Sequence, residues 1–257
     1  MWWDRSELAE VYFSETCIGL RRGLGDTATW IDAKGLEEGA AHLVDALTSG
    51  DLRSCGRIRV WLGAELARPL ILSSGSGART REEAKALATM QAPDVTGIDG
   101  PVRIWANAWR KGHGGLAVIM PDAAWATLHD AIDRVCAGRT GALHKDTARS
   151  LKLVSVRPWW NQVMDVVIED SAKERAAMGW SLAEAGGVVH GIVNNGVPVE
   201  AGFDLLGAHD DDGSRLRRRL QVSWGAMASS QHLDLVRHGE GRPVAIGSWS
   251  PSSGESP

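Results

Sequence analysis

Residues 178–203 limit what this chain can fold into more than any other stretch. Met178, Trp180 and Leu182 alternate with small or polar residues, and Val197, Val199, Ala201 and Phe203 do the same further on. That period of two belongs to a strand with one face buried. Between the arms, Ala185-Gly186-Gly187 and Asn194-Asn195-Gly196 supply residues that tolerate the backbone of a tight reversal. The stretch therefore predicts a three-stranded meander.

With 257 residues the chain can bury one large core or two smaller ones. Ahead of the meander, Glu10–Arg21 reads as a strand and Thr27–Ile31 as a second, joined through Gly23-Leu24-Gly25-Asp26. Leu36, Ala40, Leu43, Val44 and Leu47 fall at helical spacing. Arg57–Leu62 and Arg68–Leu72 form the next hairpin, Thr80–Met90 a short helix, and Val102–Arg110 and Leu116–Met120 further strands. Pro121-Asp122 opens a helix that ends near Gly138, and the polar run Arg139–Arg149 divides the chain. A strand over Leu151–Val156 and a helix opened by Pro158 follow. Beyond the meander, Asp210-Asp211-Asp212 leads a helix bearing Leu216, Leu220, Trp224 and Met227, and Leu233–Val236 is a last strand.

Composition removes several function classes. A net charge of −4 provides no field for nucleic acid or an anionic membrane. Cys17, Cys55 and Cys136 lie far apart, as buried thiols of a reducing compartment do. The N-terminus lacks a basic start and apolar run, and no stretch approaches the roughly 20 apolar residues that span a bilayer. A cytoplasmic location without direct membrane insertion is expected. Twelve Trp against one Tyr and two Phe point to Trp as the main aromatic core residue.

Chemical motifs are sparse. The three aspartates at 210–212 suit the positive end of a helix better than a metal, with no further ligand at the right spacing. None of the eight His pairs with another at helical ligand spacing. Arg215, Arg217, Arg218 and Arg219 form a basic helix face without aromatic neighbours to stack bases. Ser73-Ser74-Gly75-Ser76-Gly77 lacks the Gly-Lys-Ser/Thr ending of a phosphate loop, and no Gly-x-Ser-x-Gly elbow is present.

The succession of elements resembles the actin-like, ribonuclease-H-like ATPase superfamily. Within it, Val60-Trp61-Leu62-Gly63-Ala64-Glu65-Leu66, followed by a return strand, a charged helix and further strands, looks like the cytoplasmic L component of type II secretion systems. PilM-type scaffolds of bacterial type IV pilus machines share that layout. The resemblance covers residues 8–237 and implies a two-lobed α/β fold, mixed sheets flanked by helices. Its first lobe would be 1–145 and its second 146–238, with 239–257 a disordered tail. Nucleotide-binding members carry an Asp-x-Gly turn in the first hairpin and an Asp-x-Gly-Gly-like turn opening the second lobe. Here the first turn is read as Gly23-Leu24-Gly25-Asp26, and Glu184 stands where the second Asp would be. The resemblance thus implies a vestigial nucleotide turn at Glu184, Gly186 and Gly187, and a scaffold for which ATP and magnesium are not expected.

The implied partners are a membrane-anchored assembly protein and a traffic ATPase, met in a groove between lobes or along an exposed strand edge. Trp159, turned about 100° from the apolar stripe of its helix, is the candidate anchor. The enzymatic alternative is an ATP-dependent kinase or phosphohydrolase in which Glu184 activates water and Gly186 and Gly187 cradle phosphate. A ribonuclease-H-type nuclease would need several converging carboxylates, and only Glu15 and Glu184 sit on strands to begin one.

Overall fold

The strand β1 (Leu8–Phe13) is buried along nearly its whole length, as a strand covered on both faces must be. Ala9, Val11 and Phe13 enter one core, while Tyr12 points into another on the opposite face. The computed structural model describes residues 7–23, 28–106, 109–111, 114–141, 151–184, 187–205 and 235–237. The helix expected after Asp210, its arginine face, and the tail from 239 lie outside the described residues.

β1 pairs antiparallel with β2 (Cys17–Arg22), which pairs antiparallel with β3 (Thr29–Asp32). On its other side β1 runs parallel to β4 (Arg57–Leu62), and β4 runs parallel to β8 (Lys152–Pro158). The resulting mixed sheet has the order β3-β2-β1-β4-β8. Helices α1 (Leu36–Thr48) and α3 (Asp122–Gly141) cover one face through Leu43, Leu47, Leu128 and Val135. Across β2-β1-β4, Glu10 is paired with both Arg21 and Arg59, the latter at 3.0 Å.

Between β4 and α3 the chain inserts β5 (Arg68–Leu72), α2 (Arg81–Thr96), β6 (Val102–Trp105) and β7 (Gly115–Pro121). The three strands form an antiparallel sheet of order β5-β7-β6 with α2 packed on it. The predicted meander is present as β9 (Ala177–Glu184), β10 (Gly187–Asn194) and β11 (Val197–Leu205). Asn195 and Gly196 turn with φ of 51° and 77°, the conformation for which Asn-Gly is suited. β12 (Leu235–Arg237) adds parallel to β9, and α4 (Trp160–Glu174) packs against this sheet.

Four expectations change. The stretch 10–21 is two strands, because Ser14 makes a turn: its Oγ accepts the Cys17 and Thr16 amides at 3.0 and 3.3 Å. The strand at 151–156, expected to open the second half, completes the first sheet beside β4. Helix α2 runs past residue 90 to Thr96, with Pro93 near its C-terminal end and Gly97 left-handed behind it. Helix α4 starts at Trp160, with Pro158 ending β8.

Val11, Phe13, Ile18, Leu43, Leu47, Ile58, Val60 and Leu128 share the first core, while Ile104 packs under α2. A second core was expected from Trp160, Met164, Trp180, Leu182, Ile192, Leu216 and Leu220. The first four share one with Tyr12, Trp61 and Leu116 from the other sheets, Ile192 is buried outside it, and 216 and 220 lie outside the described residues. Among the described residues no helix is long and apolar enough to cross a membrane.

Leu43 has no exposed surface and sits centrally between α1 and the first sheet. Leu43→Ala should lower stability by about 3 kcal/mol. A fall in the urea midpoint at unchanged slope would be the expected result.

Candidate functional site

The turn between β4 and β5 is where the three sheets meet. Gly63 N–H donates to the Phe13 carbonyl at 2.9 Å, and the Leu66 and Ala67 amides fold back onto the Gly63 carbonyl, each at 3.0 Å. A side chain at 63 would lie 2.8 Å from the Tyr12 hydroxyl and 2.9 Å from Glu65 Oε2, so the turn admits only glycine there. Just before it, the Trp159 amide donates to the Leu62 carbonyl at 2.9 Å. Just after it, Trp160 Nε1–H donates to the Ala67 carbonyl at 2.6 Å.

Glu184, at the end of β9, reaches into this turn from the other sheet and has no exposed surface. Its Oε2 accepts the Tyr12 hydroxyl at 2.7 Å and the Ala64 amide at 2.9 Å, while Oε1 has no partner among the described residues. Burial pushes its pKa from the ordinary 4.5 to about 8; the Tyr12 bond opposes the rise and the Glu65 charge adds to it. At neutral pH the side chain is therefore the neutral acid. Burial, reinforced by Glu184, holds the Tyr12 hydroxyl well above its usual range, so Tyr12 donates and does not ionise.

Glu65 is another buried acid at this turn, 6% exposed and likewise raised by burial. Its Oε1 accepts the Glu15 amide at 3.1 Å, and its Oε2 has no partner among the described residues. The β1–β2 turn thus spends all its amides inside the protein. Ser14 N–H donates to the Cys17 carbonyl at 3.1 Å, Glu15 N–H to Glu65, and Thr16 and Cys17 N–H to Ser14 Oγ. A polyphosphate needs such amides facing outward. Among the described residues no cluster of His, Cys, Asp and Glu is arranged to hold a metal ion.

The residues singled out from sequence take different places. Glu184 is at the junction of the sheets. Gly186 lies outside the described residues. Gly187 is buried at the start of β10, where a Cβ would meet the Phe203 ring at 2.4 Å. Trp159 is not at a rim. It is 3% exposed, edge-on to Trp61 at 5.7 Å and to Tyr12 at 6.2 Å. Its backbone is already helical at the N-cap, and the ring turned away from the α4 stripe meets Trp61 and Tyr12 of the first sheet where solvent was expected. The first hairpin turn is at 14–16 and carries an acid, Glu15, where 23–26 was expected to serve. Tyr12 and Glu65 went unnoticed, although Tyr12 is the chain's sole tyrosine and Glu65 lies within the Trp-Leu-Gly segment.

A groove of about 870 Å³ opens between β8, β7, α4 and the β10–β11 turn. Its walls include Leu116, Val156, Met164 and Val197, with Arg110 and Arg157 among its polar groups. Asp165, also in the wall, is raised by burial and held back by the Arg157 charge. β8 forms one edge of its sheet.

No protein-family model matches the chain, and no curated protein matches it. Solved structures do. A Bacteroides thetaiotaomicron protein with an actin-like ATPase fold and unknown function is 9% identical and superposes with a TM-score of 0.55, over 91% of this chain and 84% of that one. A PilM–PilN type IV pilus biogenesis complex is 12% identical, with a TM-score of 0.49 over 86% of this chain and 66% of that one. An Aquifex aeolicus Ppx/GppA phosphatase is 8% identical, with a TM-score of 0.34 over 86% and 63%. The chain has the actin-like ATPase fold: mixed sheets flanked by helices. At the two turns where that superfamily's nucleotide residues were expected, the β1–β2 amides are bonded within the protein and Glu184 is enclosed.

Between pH 4.5 and about 8 the unfolded chain releases the Glu184 proton while the folded chain keeps it, so stability should fall as pH rises through this window. The loss should total several kcal/mol and level off above the upper value. Glu184→Gln should flatten the slope of urea-derived stability against pH, and an unchanged slope would place the titration elsewhere.

Proposed function

We propose that this chain is an actin-like scaffold that binds a partner and catalyses no reaction, working in the cytoplasm within an envelope assembly of the type IV pilus or type II secretion kind. The observation that carries this reading is the state of Glu184. Glu184, the carboxylate expected at the second nucleotide turn, is consumed as an acceptor for Tyr12 and Ala64, out of solvent and neutral. A water-activating or metal-holding carboxylate has to be ionised and reachable.

The groove beside β8 supports a binding role. An extended segment lying there would find an apolar floor from Leu116, Val156 and Met164, and a strand edge to which it could add main-chain hydrogen bonds. Arg110 and Arg157 favour a segment carrying an acidic residue. The partner in this reading is the short cytoplasmic segment of a membrane-anchored assembly protein, with a traffic ATPase as a further member of the complex.

Fluorescence anisotropy with labelled peptides tiled across the cytoplasmic segments of membrane-anchored proteins encoded beside this gene tests the proposal. One acidic-apolar peptide should bind in the micromolar range, and Met164→Arg should weaken it about tenfold or more. Arg134→Ala, on α3 and outside the groove lining, should leave binding unchanged. Absence of peptide binding together with magnesium-dependent ATP turnover would establish the kinase or phosphohydrolase reading instead.

A further inference from the structure

We propose that Glu184 is a built-in acceptor that clamps the β9–β10–β11 sheet onto the β1–β4 sheet, while Glu65 closes the neighbouring β1–β2 turn from the β4–β5 turn. Two observations converge on this. The Glu15 amide, in the β1–β2 turn, donates to Glu65 Oε1 at 3.1 Å, so a side chain of the protein takes a donor that a bound anion would otherwise take. The Ala64 amide and the Tyr12 hydroxyl, both on the first-sheet side, donate to Glu184 Oε2 from the second sheet. Neither acid is reachable by solvent ions, and the free oxygens Glu65 Oε2 and Glu184 Oε1 have no other partner among the described residues.

The surroundings show why the clamp holds. Tyr12 from β1 and Cys17 from β2 face the pair, and Glu15 and Arg68 act electrostatically on Glu65. Among the described residues no basic side chain is hydrogen-bonded to Glu184, so the joint is a neutral acid accepting two hydrogen bonds. Two further ties cross the same seam: Trp160 Nε1–H to the Ala67 carbonyl, and the Arg68 guanidinium over the Phe203 ring at 4.5 Å. The sheets should therefore keep one arrangement without nucleotide, whether or not a peptide occupies the groove.

Hydrogen exchange of the full chain, followed by mass spectrometry, tests the clamp. In the wild type, residues 63–67 and 177–184 should exchange slowly, and magnesium-ATP should leave them unchanged. Glu184→Ala should speed their exchange about tenfold or more while α1 keeps its protection. Glu184→Gln should retain wild-type protection, because its amide oxygen can accept the same two bonds. Tyr12→Phe, a milder change, should give a smaller rise in the same segments, and it decides the matter if Glu184→Ala does not fold. Wild-type exchange in both disruptive variants, or equally fast exchange in Glu184→Gln, would overturn the clamp. So would protection that appears only on adding magnesium-ATP, a result that leaves peptide binding in the groove untouched.

Discussion

The arrangement of the sheets depends on one shared acceptor. Glu184 Oε2 is bonded at once by a hydroxyl from β1 and an amide from the β4–β5 turn, so three elements far apart in sequence are fixed at one atom. Each such bond contributes only about 1 kcal/mol net, but an orphaned buried donor costs roughly 1–3 kcal/mol. Removing the acceptor strands two donors. The asymmetry makes the joint matter more for which arrangement forms than for how tightly the chain is folded.

The bulk of the free energy at the seam comes from aromatic burial. Trp61, Trp159, Trp160 and Trp180 are all at least nine-tenths buried there, and each contributes about 4 kcal/mol by area removed from water. Their contacts are directional as well: Trp159 meets Trp61 and Tyr12 edge-on, and Trp160 stacks on Trp180 with centroids 6.3 Å apart. The two kinds of force divide the task, since rings exclude water from the carboxylic acid and the acid keeps the rings in register. A dry seam also explains the neutral Glu184, since the same exclusion of water that stabilises the rings penalises its charge.

Much of this was legible in the sequence, and unevenly so. The meander was visible because its turns are marked by Asn195-Gly196 and its arms alternate. The first hairpin was hidden because Ser14, and no glycine or proline, makes its turn through a side-chain oxygen. That single miss moved the first acidic turn from Glu15 to the loop at 23–26. Glu184 was found as a candidate, but its partners could not be, since Tyr12 and Ala64 lie 172 and 120 residues away. Trp159 looked like an edge residue of its helix, but Trp61 and Tyr12, far off in sequence, cover that edge. Periodicity reports which face a residue occupies once an element is set; it does not report where a cap begins or which distant turn covers that face.

The position of β8 bears on how the chain is made. Its partner β4 ends at Leu62, whereas β8 spans residues 152–158, and the whole β5–β7 insertion and α3 are synthesised between them. A ribosome must add about 90 residues after β4 before the first sheet can gain its last strand, several seconds at ordinary elongation rates. Through that interval β4 presents an open parallel edge. Helix α1, made before β4, can already shield part of one face of the sheet, and α3 completes that layer shortly before β8 emerges.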